Sequence, residues 1–386
     1  MVVWKVKQHK SFTCNTKSKD NNNKIYSLKY LSDMKKIALL LAVAISSVSL
    51  FAQSVNKGEL KQLKAFLAQP AAEAATNAAA LKITDQNNPA TWEGVTVAGG
   101  HITAIEWKDK KLAGVLDLSG FNALQKVDVS RNKLTGFTAK GDGALTELNV
   151  SRNRLTEFSV EGCAQITKLA VNNNRLTEID MSDLPVLKTL NLANNYLVSL
   201  DLSNSATLQT ANVLGNHLEE LNVSNCTELK NLYAGYNKLT SLLLSGVPNL
   251  SNINVDDNEI SSLIVSNLPA LSTFLCTDNN MKSLAMRDCK NLLDLVCSYN
   301  DLTSLSVEGC PQLLFVDCSY NDLSTLTLSN QTFLQRLLCN NNELTMLDVS
   351  FDSNLTYINC RYNMIVDFRT IGCNSLQQIA CRWGGF

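Results

Sequence analysis

Histidine is scarce in this chain, with three in 386 residues: His9, His101 and His217. It is the commonest general base near neutral pH, so its scarcity leaves little material for acid–base chemistry. The sequence holds no His-Glu-x-x-His run, no Ser-His-Asp grouping, no phosphate-cradling glycine loop and no Cys-x-x-Cys spacing. Those gaps speak against a metalloprotease, a serine hydrolase, a nucleotide-binding enzyme and a structural zinc site. An excess of either charge is missing too: 34 Lys and Arg stand against 35 Asp and Glu, a formal net charge of −1. Such a balance gives no general attraction for nucleic acid or for an anionic membrane. The residues therefore point to a non-enzymatic protein with no cofactor, no metal and no nucleic-acid partner.

Nor is there an apolar run of the ~20 residues that span a bilayer. The longest extends from Ile37 to Phe51, behind Lys35 and Lys36 and ahead of the small-residue point Ala52-Gln53. That layout is the three-part pattern of a secretory signal peptide over 34–52, with no transmembrane anchor. No cysteine sits at the cleavage point, so no lipid anchor is expected. Residues 1–33 are polar and rich in Asn and Lys, which reads as a disordered leader or as an over-extended start ahead of Met34. The expected mature chain begins near 53 and is secreted, extracellular or at the cell surface, with the periplasm as the alternative.

What the chain has in abundance is repetition. A leucine or isoleucine recurs at 124, 145, 166, 187, 208, 229, 250, 271, 292, 313, 334, 355 and 376, a period of 21 without insertion or deletion. Each such residue is numbered slot 1 of a coil, and coil 1 starts at Leu124. Slots 1, 4, 6, 11, 14 and 16 are almost always apolar, and slot 9 is Asn in all twelve full coils, from Asn132 to Asn363. Slots 3 to 7 alternate polar and apolar as a half-buried strand does. One 21-residue unit cannot close a core, so the coils must stack on one another. The slot-9 amide then lies at the turn leaving the strand, where it can pair backbone groups inside the coil. With so short a unit, the far side has room for short strands, 3₁₀ turns or extended segments, but not for full helices.

This pattern resembles the leucine-rich repeat, L-x-x-L-x-L-x-x-N-x-L, and its short unit resembles that of secreted bacterial members of internalin type. The resemblance implies a right-handed curved parallel β-sheet on the concave face and a non-enzymatic binding role in protein–protein recognition or adhesion. Residues 53–101, with the apolar face Leu60, Leu63, Phe66 and Leu67, are expected to form a helical N-terminal cap, and 102–386 the repeat domain. The segment from Trp92 to Thr96, WEGVT, is similar to the opening of plant-type repeat domains, without their cysteine pair.

Cysteine fills slot 6 in six consecutive coils, at 276, 297, 318, 339, 360 and 381, where coils 1 to 5 carry Val or Leu. Buried free thiols are expected there, because in-register neighbours hold their Cβ atoms near the ~4.8 Å strand spacing, wider than a disulfide prefers. A second column at slot 19 holds Cys163, Cys226, Cys289, Cys310 and Cys373, and there a Cys289–Cys310 bridge stays open. At the other end of the chain three readings stay open: Trp383 and Phe386 fold over the last coil, its edge pairs with another molecule as an oligomer contact or assembly scaffold, or the gene is truncated.

Slots 3, 5 and 7 are expected to face outward on the concave side, with slots 8 and 10 along its rim. In coils 1 to 3 the rim slots hold Arg131, Lys133, Arg152, Arg154 and Arg175; in coils 7 to 11 they hold Asp257, Glu259, Asp278, Asp301, Asp322 and Glu343. Aromatics gather in the second half: Tyr236, Tyr299, Tyr320 and Tyr362 on the rim, Tyr233, Phe315 and Tyr357 on the face. Phe315 and Tyr357, with Leu275, Val296 and Leu338, read as one apolar patch. Exposed tyrosines on a rigid surface are favoured anchors for a protein partner on a host or neighbouring cell. Stacking and hydrogen bonding to a glycan is the alternative, and a self-stabilising tyrosine stack is the plain structural one. Asp256, Asp257 and Asp278 are a carboxylate cluster for which calcium and a solvated rim both come into question.

Overall fold

The computed structural model describes residues 55–203, 205–328 and 331–381. The leader, the signal segment, Trp383 and Phe386 lie outside the described residues. From Val55 the chain runs through helix α1 (Lys57–Leu67), a short helix α2 (Asn77–Ala80) and strands β1 (Val95–Ala98), β2 (His101–Glu106) and β3 (Ala113–Asp117) before the regular coils begin. Among the described residues no helix is long and apolar enough to cross a membrane.

Slots 3 to 5 of every coil form a three-residue strand, and equivalent residues pair in parallel, Lys126 with Glu147 and Val127 with Leu148. The result is one fifteen-stranded sheet in which β2 joins the regular coils in parallel and β1 pairs with β2 antiparallel at the edge. On the far side, slots 13 to 15 of most coils form short strands grouped in twos and threes. Between the two lies a continuous core: in coil 1 Leu124, Val127, Val129 and Leu134 are at most 1% exposed. The alternation of slots 3 to 6 is thus the physical origin of the sheet, since shifting it by one residue would turn every leucine outward.

The slot-9 asparagines lock coil to coil. Asn174 donates through Nδ2 to the Val171 carbonyl of its own coil at 2.8 Å and to the Val150 carbonyl one coil back at 3.1 Å. Its Oδ1 accepts the Leu155 backbone N–H at 3.1 Å. The same three-way contact recurs down the column to Asn363, which bonds the carbonyls of Cys360 and Cys339 and the N–H of Leu344. Each amide therefore satisfies backbone groups that the turn would otherwise bury unpaired.

The cap is more than helical. Asn56 caps α1 by accepting from the N–H groups of Gly58 and Glu59, and the helix buries Leu63, Phe66 and Leu67, with the Phe66 ring stacked 6.1 Å from Trp107. Glu59, 2% exposed, accepts the Ile102 N–H at 2.9 Å and contacts His101 at 2.7 Å. β1 covers the edge of the long sheet, a strand the helix-prone sequence did not announce. The edge of the opposite sheet is covered by side-chain amides: Asn77 bonds both the N–H and the carbonyl of Ala113, and Gln69 does the same for Val115. Exposed strand edges invite pairing with other chains, and this end has none left open on β2 or β3.

Candidate functional site

The rim begins with an unusual backbone. Slot 8 adopts positive φ in all twelve coils, between 51° at Asp278 and 68° at Gly215. Six of the twelve residues there are Asn, Asp or Gly, the types that tolerate this left-handed region: Asn173, Asn194, Gly215, Asp257, Asp278 and Asn341. The other six are Arg131, Arg152, Tyr236, Tyr299, Tyr320 and Tyr362, side chains that add strain of about 1 kcal/mol each. The frequent Asn, Asp and Gly at slot 8 were the sequence signal for this turn, and reading the slot only as surface missed it. Slot 7, expected on the concave face, is instead half-buried or buried in all coils but the twelfth, for example at Ser298 and Ser319. Its N–H is commonly taken by the slot-5 side chain of the same coil, as Ser319 is by Asp317 at 3.0 Å.

The tyrosines project from this strained turn. Tyr299 and Tyr320 stack with ring centroids 4.2 Å apart and planes 9° from parallel, and they are 49% and 42% exposed. Tyr236 and Tyr362 stand two or more coils away and are more exposed still. Tyr236 interacts with Asp257, whose charge holds the phenol above its ordinary range. On the concave face Tyr233 is exposed, whereas Phe315 and Tyr357 are half-buried.

Strand pairing corrects the apolar patch. Phe315 aligns with Arg336 and Arg336 with Tyr357, so a guanidinium separates the two rings, its Cζ 5.6 Å from each ring centre. Asp317 likewise falls between Val296 and Leu338. The surface is an aromatic–cation–aromatic sandwich beside three half-buried aliphatics. Leu275, Val296 and Leu338 occupy slot 5, where seven of the other nine full coils use Asp or Asn to cap the turn.

The rim acids divide by environment. Asp257 is half-buried and Asp278 exposed; partial desolvation, then the Asp257 charge, raises the Asp278 carboxyl. Asp301 carries a salt bridge to Lys282 at 3.0 Å, a base outside the rim slots that the sequence reading left aside. Asp322 is exposed. Asp256 has both oxygens engaged, Oδ1 by the Thr277 N–H at 2.7 Å and Oδ2 by the Asn254 amide at 2.8 Å, so it braces the turn rather than facing a cation. Among the described residues no group of three or more His, Cys, Asp or Glu side chains could hold a metal ion. The basic end keeps its character: Arg131, Lys133, Arg152, Arg154 and Arg175 are all exposed. His217 stacks on Tyr196 at 5.6 Å, as a surface pair.

The thiols also sort by position. Cys276, Cys297, Cys318 and Cys339 are wholly buried and burial pushes all four up, while Cys360 is 4% exposed. Cys381 departs from the expectation of burial: it is exposed, and its Sγ lies 3.1 Å from that of Cys360. At slot 19, Cys163, Cys226 and Cys373 donate to the slot-16 carbonyls of the coil before, Ala139, Leu202 and Val349. Cys289 and Cys310 turn to each other instead, unbridged.

No protein-family model matches this chain, and no curated protein matches it. Among solved structures it is similar to the functional domain of InlJ from Listeria monocytogenes, which includes a cysteine ladder, at 25% identity and a TM-score of 0.52, over 80% of this chain and 61% of that one. It is similar to PEPR1 in complex with AtPEP1 at 19% identity and a TM-score of 0.58, over 80% and 52% of the two chains. A third similar structure, YopM from Yersinia enterocolitica WA-314, is 25% identical with a TM-score of 0.46, over 68% and 64%. The chain thus spans less than two thirds of the length of each. An unbroken 21-residue repeat, the parallel sheet it builds and the likenesses to the InlJ domain and PEPR1 make the fold a leucine-rich repeat solenoid.

Proposed function

We propose that this chain is an exported, non-enzymatic recognition protein that holds a protein partner on the concave face and rim of coils 6 to 12, in adhesion to a host or neighbouring cell. The observation that carries the reading is the placing of tyrosine at four left-handed positions where six other coils use Asn, Asp or Gly. The fold does not need those rings, and strain kept against the interest of stability is a mark of function. Tyr236, Tyr299, Tyr320 and Tyr362 are then rigid anchors, with Asp257, Asp278 and Asp322 as polar contacts around them. Tyr233, Phe315 and Tyr357 extend the surface inward, and Arg336, held between two rings, offers a fixed cation to an acidic group of the partner. Stacked repeats of this kind form extended binding surfaces, and the signal-peptide pattern over 34–52 supports export.

The test is binding of the labelled chain to intact cells, compared with a Tyr299→Asn/Tyr320→Asn variant. Asn suits the left-handed turn, so folding is preserved while the rings are removed. Saturable binding that protease treatment of the cells abolishes, and that the variant weakens roughly 30-fold, is the expected result. Binding that survives protease but not glycosidase treatment would favour the glycan reading. Equal binding by variant and native chain would put the partner on another face.

A further inference from the structure

The thiol column changes character at one step. From Cys276 to Cys339 each thiol is 0% exposed, and Cys276 turns its Sγ to the backbone carbonyl of Val296 in the next coil, 3.4 Å away. Coils pack on both sides of each, so no sulfur there can shift toward its neighbour without opening a void. At Cys360 and Cys381 the sulfurs touch at 3.1 Å, inside ordinary sulfur–sulfur contact, and Cys381 is exposed. Its coil is held by parallel pairing of Gln378–Ala380 with Tyr357–Asn359 and by the Cys360 N–H bond to the Ala380 carbonyl at 3.0 Å. Ile379, at the slot-4 core position, is 43% exposed where Ile358 in the coil before is 0% exposed. Looser packing on Cys381 removes the obstacle that keeps the inner thiols apart. The sulfurs need to close by roughly 1 Å to reach bonding distance; the ~4.8 Å Cα spacing lies within the span a disulfide accepts, and the looser thirteenth coil lets the Cβ atoms draw in toward the ~3.8 Å it prefers.

We propose that Cys360 and Cys381 are a reactive dithiol that closes to a disulfide clasping the thirteenth coil to the twelfth, while the four thiols behind them stay reduced. The co-reactant is a low-molecular-weight disulfide. The Cys381 thiolate attacks one sulfur of that disulfide and expels one thiolate, leaving a mixed disulfide on Cys381. The Cys360 thiolate then attacks Cys381 Sγ and expels the second thiolate. Two electrons pass from the protein thiols to the small disulfide, and the two protons the thiols release go to the two departing thiolates. Burial holds the Cys360 thiol up at about 12, which assigns the first attack to its exposed partner. The clasp would fasten the strand Gln378–Ala380, which among the described residues pairs with Tyr357–Asn359 alone. It does not depend on what the concave face binds.

The experiment incubates the full reduced chain, under native conditions, with oxidised glutathione. Remaining thiols are then alkylated in denaturant, and the chain is digested without reduction and sequenced by tandem mass spectrometry. The expected product links Cys360 to Cys381, with Cys276, Cys297, Cys318 and Cys339 alkylated. Cys381→Ser gives no link to Cys360, and Cys360→Ser leaves glutathione on Cys381. Amide exchange over Gln378–Ala380 slows about tenfold in the linked form. The proposal is overturned if native Cys381 keeps glutathione with Cys360 free, if Cys381 links to Cys339 or Cys373, or if Cys289–Cys310 forms in its place.

Discussion

Asn300 donates through Nδ2 to the carbonyl oxygen of Cys276, one full coil earlier, at 3.0 Å. The same side chain accepts the Met281 N–H at 3.1 Å and donates to the Cys297 and Ser298 carbonyls at 3.2 Å, so one amide serves four backbone groups in two coils. Asn300→Ala would leave the Met281 N–H buried without a partner, while the Cys276 and Cys297 carbonyls keep the amides of Asn279 and Asn321. Each such loss costs about 1–3 kcal/mol. The expected result is a fall in stability of about 2 kcal/mol, read as a lower urea midpoint, while Glu343→Ala in the exposed rim changes it far less.

Tyr362 sits in the left-handed region at φ 57° and is 51% exposed. Tyr362→Asn removes the strain without emptying a core site. Stability should rise by about 1 kcal/mol, measured by thermal unfolding. Binding at the proposed surface should weaken in the same variant, an opposition that a purely structural tyrosine would not produce.

Asp142, at slot 19 of coil 1, is fully buried, and burial raises its carboxyl to about 7. It lies near the N–H groups of Phe121 and Gly120, but these are committed to the carbonyls of Leu118 and Lys140, and neither carboxyl oxygen has a hydrogen-bond partner. The native state therefore prefers the protonated form, whereas the unfolded chain ionises near pH 4. Between about pH 4 and 7 the unfolded state binds fewer protons, so stability falls as pH rises, then levels off above 7. Asp142→Asn lacks this titration. Its melting temperature relative to the native chain should climb from pH 4 to 7 and stay constant above.

The thiol gradient makes a direct chemical statement. In the native protein an alkylating reagent should modify Cys381 rapidly and leave Cys276, Cys297, Cys318 and Cys339 untouched until denaturant is added. Mass spectrometry of timed samples gives the order. Early labelling of Cys297 would mean the coils open far more readily than their burial implies.

The sequence by itself determined the stacking. A period of 21 with apolar slots and an invariant Asn leaves one economical arrangement, because equivalent residues of adjacent coils must meet if none can bury its leucines alone. The buried asparagines and inner thiols followed from that rule at once. The strained turn at slot 8 was written in the composition of its column, in Asn, Asp and Gly, but only the backbone angles separate tolerance from strain at the tyrosines.

Other features required the folded molecule. That Arg336 parts Phe315 from Tyr357, and that Lys282 takes Asp301, depends on side-chain reach across coils, which periodicity does not specify. That β1 and two amides, Asn77 and Gln69, cover the first coil depends on non-repeating contacts, for which no second copy exists in the sequence to compare. Repetition dictates what a residue meets when coils flank it on both sides, and at the margins of the stack tertiary packing decides instead.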